Sequence, residues 1–179
     1  PYWTAHSLEE MTEVSGYIAL EVFNATCHLR WNKGYGSVHW DQLLNKGRLL
    51  AAVATDDVHK SSEIDRGWTM IKAQSLDTDA IMDALAGGCH YSSCGPVIED
   101  CRIEAGAIRI ATSPIRQASF FFDGAAGGHV VEAEPERTLT GARWSFEADR
   151  RRYRWIRVEV VDQAGNCAWT NPLAVAPSR

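Results

Sequence analysis

The amino-acid sequence predicts an α/β layer, or part of a (β/α) barrel, over residues 1–94, followed by an all-β domain over residues 95–179. Two observations separate these halves. In the first, segments of helical periodicity alternate with short apolar segments, an order that favours parallel strands joined by crossover helices. From Gly95 onward the helical period disappears. About seven short strand-like segments then follow one another, as in an immunoglobulin-like antiparallel β-sandwich.

The elements of the first half are bounded by residues with clear end preferences. Ser7 and Glu10 have the spacing of a capping box, and Gly16, Gly47 and Gly87 each follow an apolar helical pattern. In order, we predict a helix at 7–16, a strand at 17–23, a helix at 40–46, strands at 49–55 and 67–73, and a helix at 78–86.

The second half is predicted to consist of strands alone. Ala105-Gly106 and the segment 162–166 have the composition of turns. The predicted strands lie at 98–104, 107–111, 117–122, 129–132, 142–147, 153–161 and near 167–170.

Composition limits the partners and the compartment. A net charge of −5 argues against nucleic acid or an anionic membrane, and no apolar run is long enough to span a bilayer. Arg150, Arg151, Arg152, Arg154 and Arg157 form a basic run, which we interpret as a solvated strand edge. Five cysteines without a CxxC pair favour reduced thiols and a cytoplasmic protein.

The beginning of the chain suggests an interrupted domain. It opens Pro1-Tyr2-Trp3 without an initiator Met, and a helix signal follows within a few residues. The first half holds three predicted strands, whereas a complete barrel of this type needs about 250 residues. We therefore expect a truncated catalytic domain joined to an intact β domain.

The strongest chemical signal is the end of the apolar run at 49–55, where Asp56, Asp57 and His59 follow. Residues two apart on a strand share a face, so Asp57 and His59 are predicted to leave the strand end side by side. A carboxylate and an imidazole are ligands that a divalent transition metal accepts together. A polar turn at the strand end explains the same residues. Two ligands also make no complete site.

Other polar residues are weaker candidates. Glu21 is the only charge in its strand, which indicates either a polar site at the strand end or a carboxylate paired with an Arg or an amide. Lys60 and Arg66 could receive an anionic substrate, although each alone is also an ordinary surface residue. No ligand-spaced partner accompanies three further histidines, which we interpret as surface or loop residues: His28, His39 and His90.

Several segments together resemble the polymerase-and-histidinol-phosphatase (PHP) metallohydrolases. In the first half these are 21–24, 40–44 with Gly47, and 54–59. Segments 67–68, 91–96 and 168–172 are similar to a branch that carries a β-sandwich after the PHP domain. The resemblance implies the C-terminal portion of a distorted (β/α) barrel followed by an immunoglobulin-like sandwich. The family's Asp-x-His motif matches Asp57 and His59, whereas its His-x-His motif is not found here.

The resemblance further implies a metal-dependent phosphoesterase acting on a phosphorylated small molecule. The complete enzyme would hold two or three divalent ions (Zn, Mn or Fe), with Asp57 and His59 as ligands, Asp56 and Glu21 supporting them, and Lys60 and Arg66 near the substrate. We expect this chain alone to be inactive, because two ligands cannot hold the cluster.

Two other functions stay open. The first is a carbohydrate- or protein-binding β-sandwich on a non-catalytic α/β support, which exposed aromatic residues on one sheet face would favour. Its candidate residues are Phe120–Phe122, Trp144 and Trp155. The second is a structural domain that pairs with another subunit. The sequence does not determine the oligomeric state.

Overall fold

The structure, a computed structural model, describes residues 1–124, 128–146 and 153–175. The chain divides into two compact units, Pro1–Cys94 and Gly95–Arg179. The prediction of a mixed α/β protein with mostly antiparallel strands is confirmed. No helix in these described ranges is long and apolar enough to cross a membrane. Residue 147 of one predicted strand and Arg150–Arg152 of the basic run lie outside the described residues.

The first unit alternates short helices and strands. Its first helix begins as predicted, since the Ser7 hydroxyl accepts a hydrogen bond from the Glu10 amide at 3.1 Å and the Glu10 carboxylate accepts one from the Ser7 amide at 2.8 Å. The elements are α1 (Leu8–Glu13), β1 (Ala19–Asn24), α2 (Ala25–Trp31), α3 (Ser37–Asn45), β2 (Ala51–Thr55), a 3₁₀ turn (Ser61–Glu63), β3 (Trp68–Ile71), α4 (Thr78–Ala86) and β4 (His90–Ser93).

β1 and β2 are parallel, and α2 and α3 form the connection between them. Asn24 lies opposite Thr55 in the register, so both strands end at the same level. The prediction of parallel strands throughout this half is wrong for β3 and β4, which pair antiparallel. α4 ends at a glycine pair in which Gly88 has a positive φ of 70°, and this turn sends β4 back along β3.

Side chains from β3 and β4 contact β2. The Thr69 hydroxyl donates to the Ala54 carbonyl and accepts from the Ala54 amide, both at 3.0 Å. His90 Nε2 lies 3.1 Å from the Ala52 carbonyl oxygen, to which it donates. His90 is 8% exposed, so its interpretation as a surface or loop histidine is wrong. It gives a hydrogen bond to the backbone of a buried strand residue, in line with the general rule that buried backbone carbonyls are paired.

The second unit consists of two antiparallel sheets whose side chains meet in an aromatic cluster. Trp144 stacks on Phe122 with ring centroids 5.2 Å apart and meets the Tyr153 ring edge-on at 5.4 Å. One sheet has the order β5 (Ile98–Glu104), β6 (Ala107–Ile115), β9 (Leu139–Ser145). The other contains β8 (His129–Glu132), β7 (Gln117–Phe122), β10 (Trp155–Val161) and β11 (Cys167–Thr170), with β12 (Leu173–Ala174) beside β10.

The residues that would form an aromatic binding face lie in this core. Phe120 and Trp155 are 0% and 1% exposed, and Phe122 and Trp144 are buried as well. The remaining candidate, Phe121, is covered by the Arg157 guanidinium, whose central carbon lies 4.2 Å from the ring centroid. These five residues therefore form no exposed aromatic face of the kind that would favour a sugar-binding sandwich.

The interpretation of the basic run as a solvated strand edge is wrong for Arg157. It is 1% exposed, rather than part of a solvated strand edge. Its guanidinium lies against Phe121 and pairs with Glu159 at 3.4 Å, so the charge has a carboxylate partner and an aromatic face. A buried arginine on a strand is indistinguishable in sequence from an exposed one, because both occupy an alternating polar position.

Candidate functional site

Polar side chains gather at the carboxyl ends of the parallel strands β1 and β2. The Glu21 carboxylate accepts a hydrogen bond from the Thr55 hydroxyl at 2.6 Å and from Asn24 Nδ2 at 3.3 Å. The same Nδ2 lies 3.2 Å from Asp57 Oδ2. One amide group therefore joins the two carboxylates, which share the end of the sheet where parallel α/β folds place their ligands.

The electrostatic environment of this strand end is negative. Burial raises the pKa of the neighbouring Cys27 thiol, and the Asp57 and Glu21 carboxylates raise it further. A charge that disfavours a thiolate favours a cation at the same place. The arrangement is thus suited to a positive ligand and not to a cysteine nucleophile.

Asp57 and His59 lie close together, although not by strand alternation. β2 ends at Thr55, and Asp57 has a left-handed φ of 53°, which begins a turn. The turn brings His59 Nδ1 to 4.0 Å from Asp57 Oδ1. Both side chains are exposed, His59 by 57% and Asp57 by 42%. The segment after β2 is therefore a polar turn, and this turn also places Asp57 and His59 next to each other.

The His59 ring is fixed by its own turn. Nδ1 lies 2.7 Å from the Asp57 carbonyl oxygen. A carbonyl oxygen only accepts hydrogen bonds, so Nδ1 carries the proton in this contact and Nε2 of the neutral ring keeps its lone pair. Metal-binding histidines typically make this same contact, donating one ring N–H to a backbone carbonyl and offering the other nitrogen to the metal.

Asp56 closes the loop that follows. Its carboxylate accepts hydrogen bonds from the backbone amides of Asp65 at 2.9 Å, Arg66 at 2.6 Å and Gly67 at 2.7 Å. We call residues 56–67 the site loop. Asp56 thus orients the loop as a whole, whereas a direct contact with the Asp57 or His59 side chain is not among its hydrogen bonds.

Glu63 and Arg30 are components of the site that sequence reasoning missed. Glu63 Oε2 accepts from the His59 amide at 2.8 Å and the Lys60 amide at 3.2 Å, while Oε1 accepts from Arg30 Nε at 3.0 Å. Burial raises the pKa of Glu63, but these hydrogen bonds and the Arg30 charge outweigh it and lower that pKa to about 2. The spacing of His59 and Glu63, four residues apart, was the available signal, and it is too common to be specific.

Lys60 and Arg66 both lie in the site loop with exposed side chains. Lys60 is next to His59, and its backbone carbonyl accepts a hydrogen bond from the Glu63 amide at 3.0 Å. Arg66 is anchored by its backbone to Asp56 at the far end of the loop. The structure thus places both cations on the loop that presents His59.

The described residues contain no group of three or more His, Cys, Asp or Glu side chains arranged to hold a metal ion. Asp57 and His59 suit a metal by donor type and tautomer, but they make only part of a site. No protein-family model, no curated protein and no solved structure matches this chain.

Proposed function

We propose that this chain is the C-terminal part of a metal-dependent phosphoesterase of the PHP type, in which Asp57 and His59 are metal ligands. The observation that carries the proposal is the Nδ1–H bond from His59 to its own turn, which leaves Nε2 available beside an exposed carboxylate. Further support comes from the Glu21 and Asp57 carboxylates, which Asn24 joins at the carboxyl ends of two adjacent parallel strands.

The finer fold assignment belongs to the same proposal. β1 and β2 with their helical connection are interpreted as part of a distorted (β/α) barrel, and the second unit as an immunoglobulin-like sandwich. The barrel interpretation requires further strands beside those of the first unit. The additional metal ligands of the complete enzyme would come from those strands.

Divalent ions such as Zn, Mn or Fe would supply a bound water with its pKa lowered from about 15.7 toward about 7 and would polarise a phosphoryl oxygen. Asp57 and His59 would hold the ion. Asn24 holds the Asp57 carboxylate and links it to Glu21, and Asp56 and Glu63 hold the site loop. Lys60 and Arg66 offer positive charge to a phosphorylated small-molecule substrate.

Metal binding tests the proposal. The chain is titrated with Zn²⁺ or Mn²⁺ beside Asp57→Ala and His59→Ala, and the affinity of each protein is measured. Matched controls are Asp83→Ala on α4 and His39→Ala on α3, which remove the same side-chain types elsewhere in the first unit.

Because two ligands bind an ion more weakly than a complete site does, the test is a comparison of affinities. We expect the wild type and both controls to bind the ion alike, with a loss of at least about tenfold in affinity in each site variant. Equal binding by all five proteins, or none by the wild type, would contradict the assignment. A phosphatase turnover of ordinary size in this chain alone would contradict the expectation that two ligands are insufficient.

A further inference from the structure

Glu63 is a buried carboxylate in an otherwise exposed segment. It is 3% exposed, whereas its neighbours Ser61, Ser62 and Ile64 are exposed. A carboxylate is seldom buried in a surface loop unless its charge is paired and its oxygens are hydrogen-bonded. Its partners come from two places, the guanidinium of Arg30 on α2 and the backbone of the site loop.

All of the accepting capacity of Glu63 is used. Oε1 accepts from Nε and Nη2 of Arg30, and Oε2 accepts from the amides of His59 and Lys60. An ionised carboxylate has about four lone-pair positions, so these four donors fill them. Glu63 therefore has no free oxygen for a metal ion, and its role is to hold its neighbours.

The neighbour that matters is His59. Its amide is tied to Glu63 Oε2, and its ring nitrogen Nδ1 lies 3.9 Å from that same oxygen and 2.7 Å from the Asp57 carbonyl. The backbone and the ring of His59 are thus fixed from two sides. Because Arg30 belongs to α2, the anchor extends to a helix that begins directly after β1.

We propose that Glu63, anchored by Arg30, is a positioning residue that holds the His59 imidazole with Nε2 available to a metal ion, an inference that rests on the function proposed above. Glu63→Gln removes one of the two accepting oxygens, because an amide group offers a single carbonyl oxygen. Either Arg30 or the His59 and Lys60 amides then lose their acceptor, and the His59 ring loses its fixed orientation.

The experiment compares the wild type with Glu63→Gln, Arg30→Met and Arg30→Lys. The control is Asp77→Asn, which changes another carboxylate that accepts a backbone amide, that of Ala80, at the start of α4. Two properties are measured: Zn²⁺ affinity by titration calorimetry, and, without metal, hydrogen exchange of the His59 and Lys60 amides together with the His59 tautomer by NMR. Circular dichroism and urea unfolding report whether each variant is folded.

We expect Glu63→Gln and Arg30→Met to weaken Zn²⁺ binding by about 10- to 100-fold, the range typical of residues that orient a metal ligand. Arg30→Lys should restore part of the loss, and Asp77→Asn should leave the affinity unchanged. Exchange of the two amides should accelerate in the weakened variants, and the Nδ1–H tautomer should become less populated.

The failures of the two proposals are distinguishable. If the wild type binds no Zn²⁺ at His59, the proposed function fails, and the amide exchange and tautomer still test the positioning role. If Glu63→Gln is folded and matches the wild type in affinity, exchange and tautomer, the positioning role is wrong. Should Glu63→Gln not fold, Arg30→Met decides the question, because it keeps the Glu63 carboxylate and removes only its Arg30 anchor.

Discussion

The two units of the chain differ in the kinds of side chain that they bury. The first unit buries a carboxylate inside its site loop and ties it to an arginine, so its polar groups hold backbone amides in a fixed arrangement. The second unit buries aromatic rings between two sheets, with Trp144 of β9 in contact with Phe120 of β7 in the other sheet. The comparison teaches where chemistry can take place: the first unit holds exposed polar side chains in fixed positions, whereas the aromatic residues of the second serve stability.

The largest effect is expected in the aromatic core. Trp144→Ala removes a ring in contact with Phe122 and Tyr153, and we expect a loss of about 3–5 kcal/mol in the free energy of unfolding. Urea denaturation measures it. A loss below about 1 kcal/mol, the value for a side chain outside the core, would contradict the interpretation of this cluster as the centre of the second unit.

In the first unit, Asp56→Ala should lower the free energy of unfolding more than the Ser7→Ala change described below. Three backbone amides of the site loop lose a charged acceptor, so we expect a cost of about 2–3 kcal/mol and faster amide exchange at Asp65, Arg66 and Gly67. Asp65→Ala is the matched control. Unchanged exchange at these three amides in Asp56→Ala would show that the loop is held by other contacts.

The second unit contains an acid-sensitive ion pair. Burial raises the pKa of Asp123, but hydrogen bonds from the Arg154 amide at 2.9 Å and guanidinium at 3.0 Å outweigh it and keep that pKa below the ordinary 3.8. A lowered folded pKa stabilises the protein above 3.8, and the stabilisation is lost as the pH falls through the folded value.

Asp123→Asn should remove this part of the acid sensitivity and cost about 1–3 kcal/mol at neutral pH. Unfolding of both proteins is followed as the pH is lowered below 3.8. If the two free energies stay equally far apart at every pH, the Asp123–Arg154 pair does not contribute as described.

The smallest effect is expected at the start of α1. Ser7→Ala removes the acceptor of the Glu10 amide, and we expect a loss of about 1 kcal/mol. Ser7→Asp, which keeps an accepting oxygen at the cap, should restore most of it. A Ser7→Ala protein as stable as the wild type, measured by thermal unfolding, would show that this short helix is held by packing alone.

Local signals in the sequence were sufficient for many elements. The helix at 78–86 and the strands at 98–104, 117–122, 129–132 and 167–170 have the predicted bounds. The hairpin at Ala105-Gly106 has positive φ at both residues, 46° and 68°, and Gly106 adopts it without strain. Such features depend on neighbouring residues and are therefore visible in a single sequence.

What the sequence did not predict depends on distant partners. α2 is an exception, because its start is a local signal that was missed directly after a strand: the Asn24 side chain accepts from the Cys27 amide at 2.8 Å. β4 was missed because its four residues are mostly polar, although His90 is buried against β2. Arg30 and Glu63 are 33 residues apart in sequence, and only the fold brings them together.

For the candidate site, the sequence identified Asp57, His59, Asp56 and Glu21, and the structure supplies the connections. The Asp-x-His spacing predicted proximity through strand alternation, whereas a left-handed turn at Asp57 produces it. Asp56 was expected beside a ligand and instead binds three amides at the far end of the site loop. Spacing predicted which residues are near one another, but hydrogen-bond partners decide what each one does.

The most direct test of the central claim is the nitrogen spectrum of the His59 imidazole, recorded by NMR without and with Zn²⁺, using His59→Ala to assign its signals. We expect the Nδ1–H tautomer in the free protein and a shift of the Nε2 resonance on adding Zn²⁺, which Asp57→Ala weakens. A free protein with the proton on Nε2, together with no change on adding Zn²⁺, would contradict the assignment of this turn as part of a metal site.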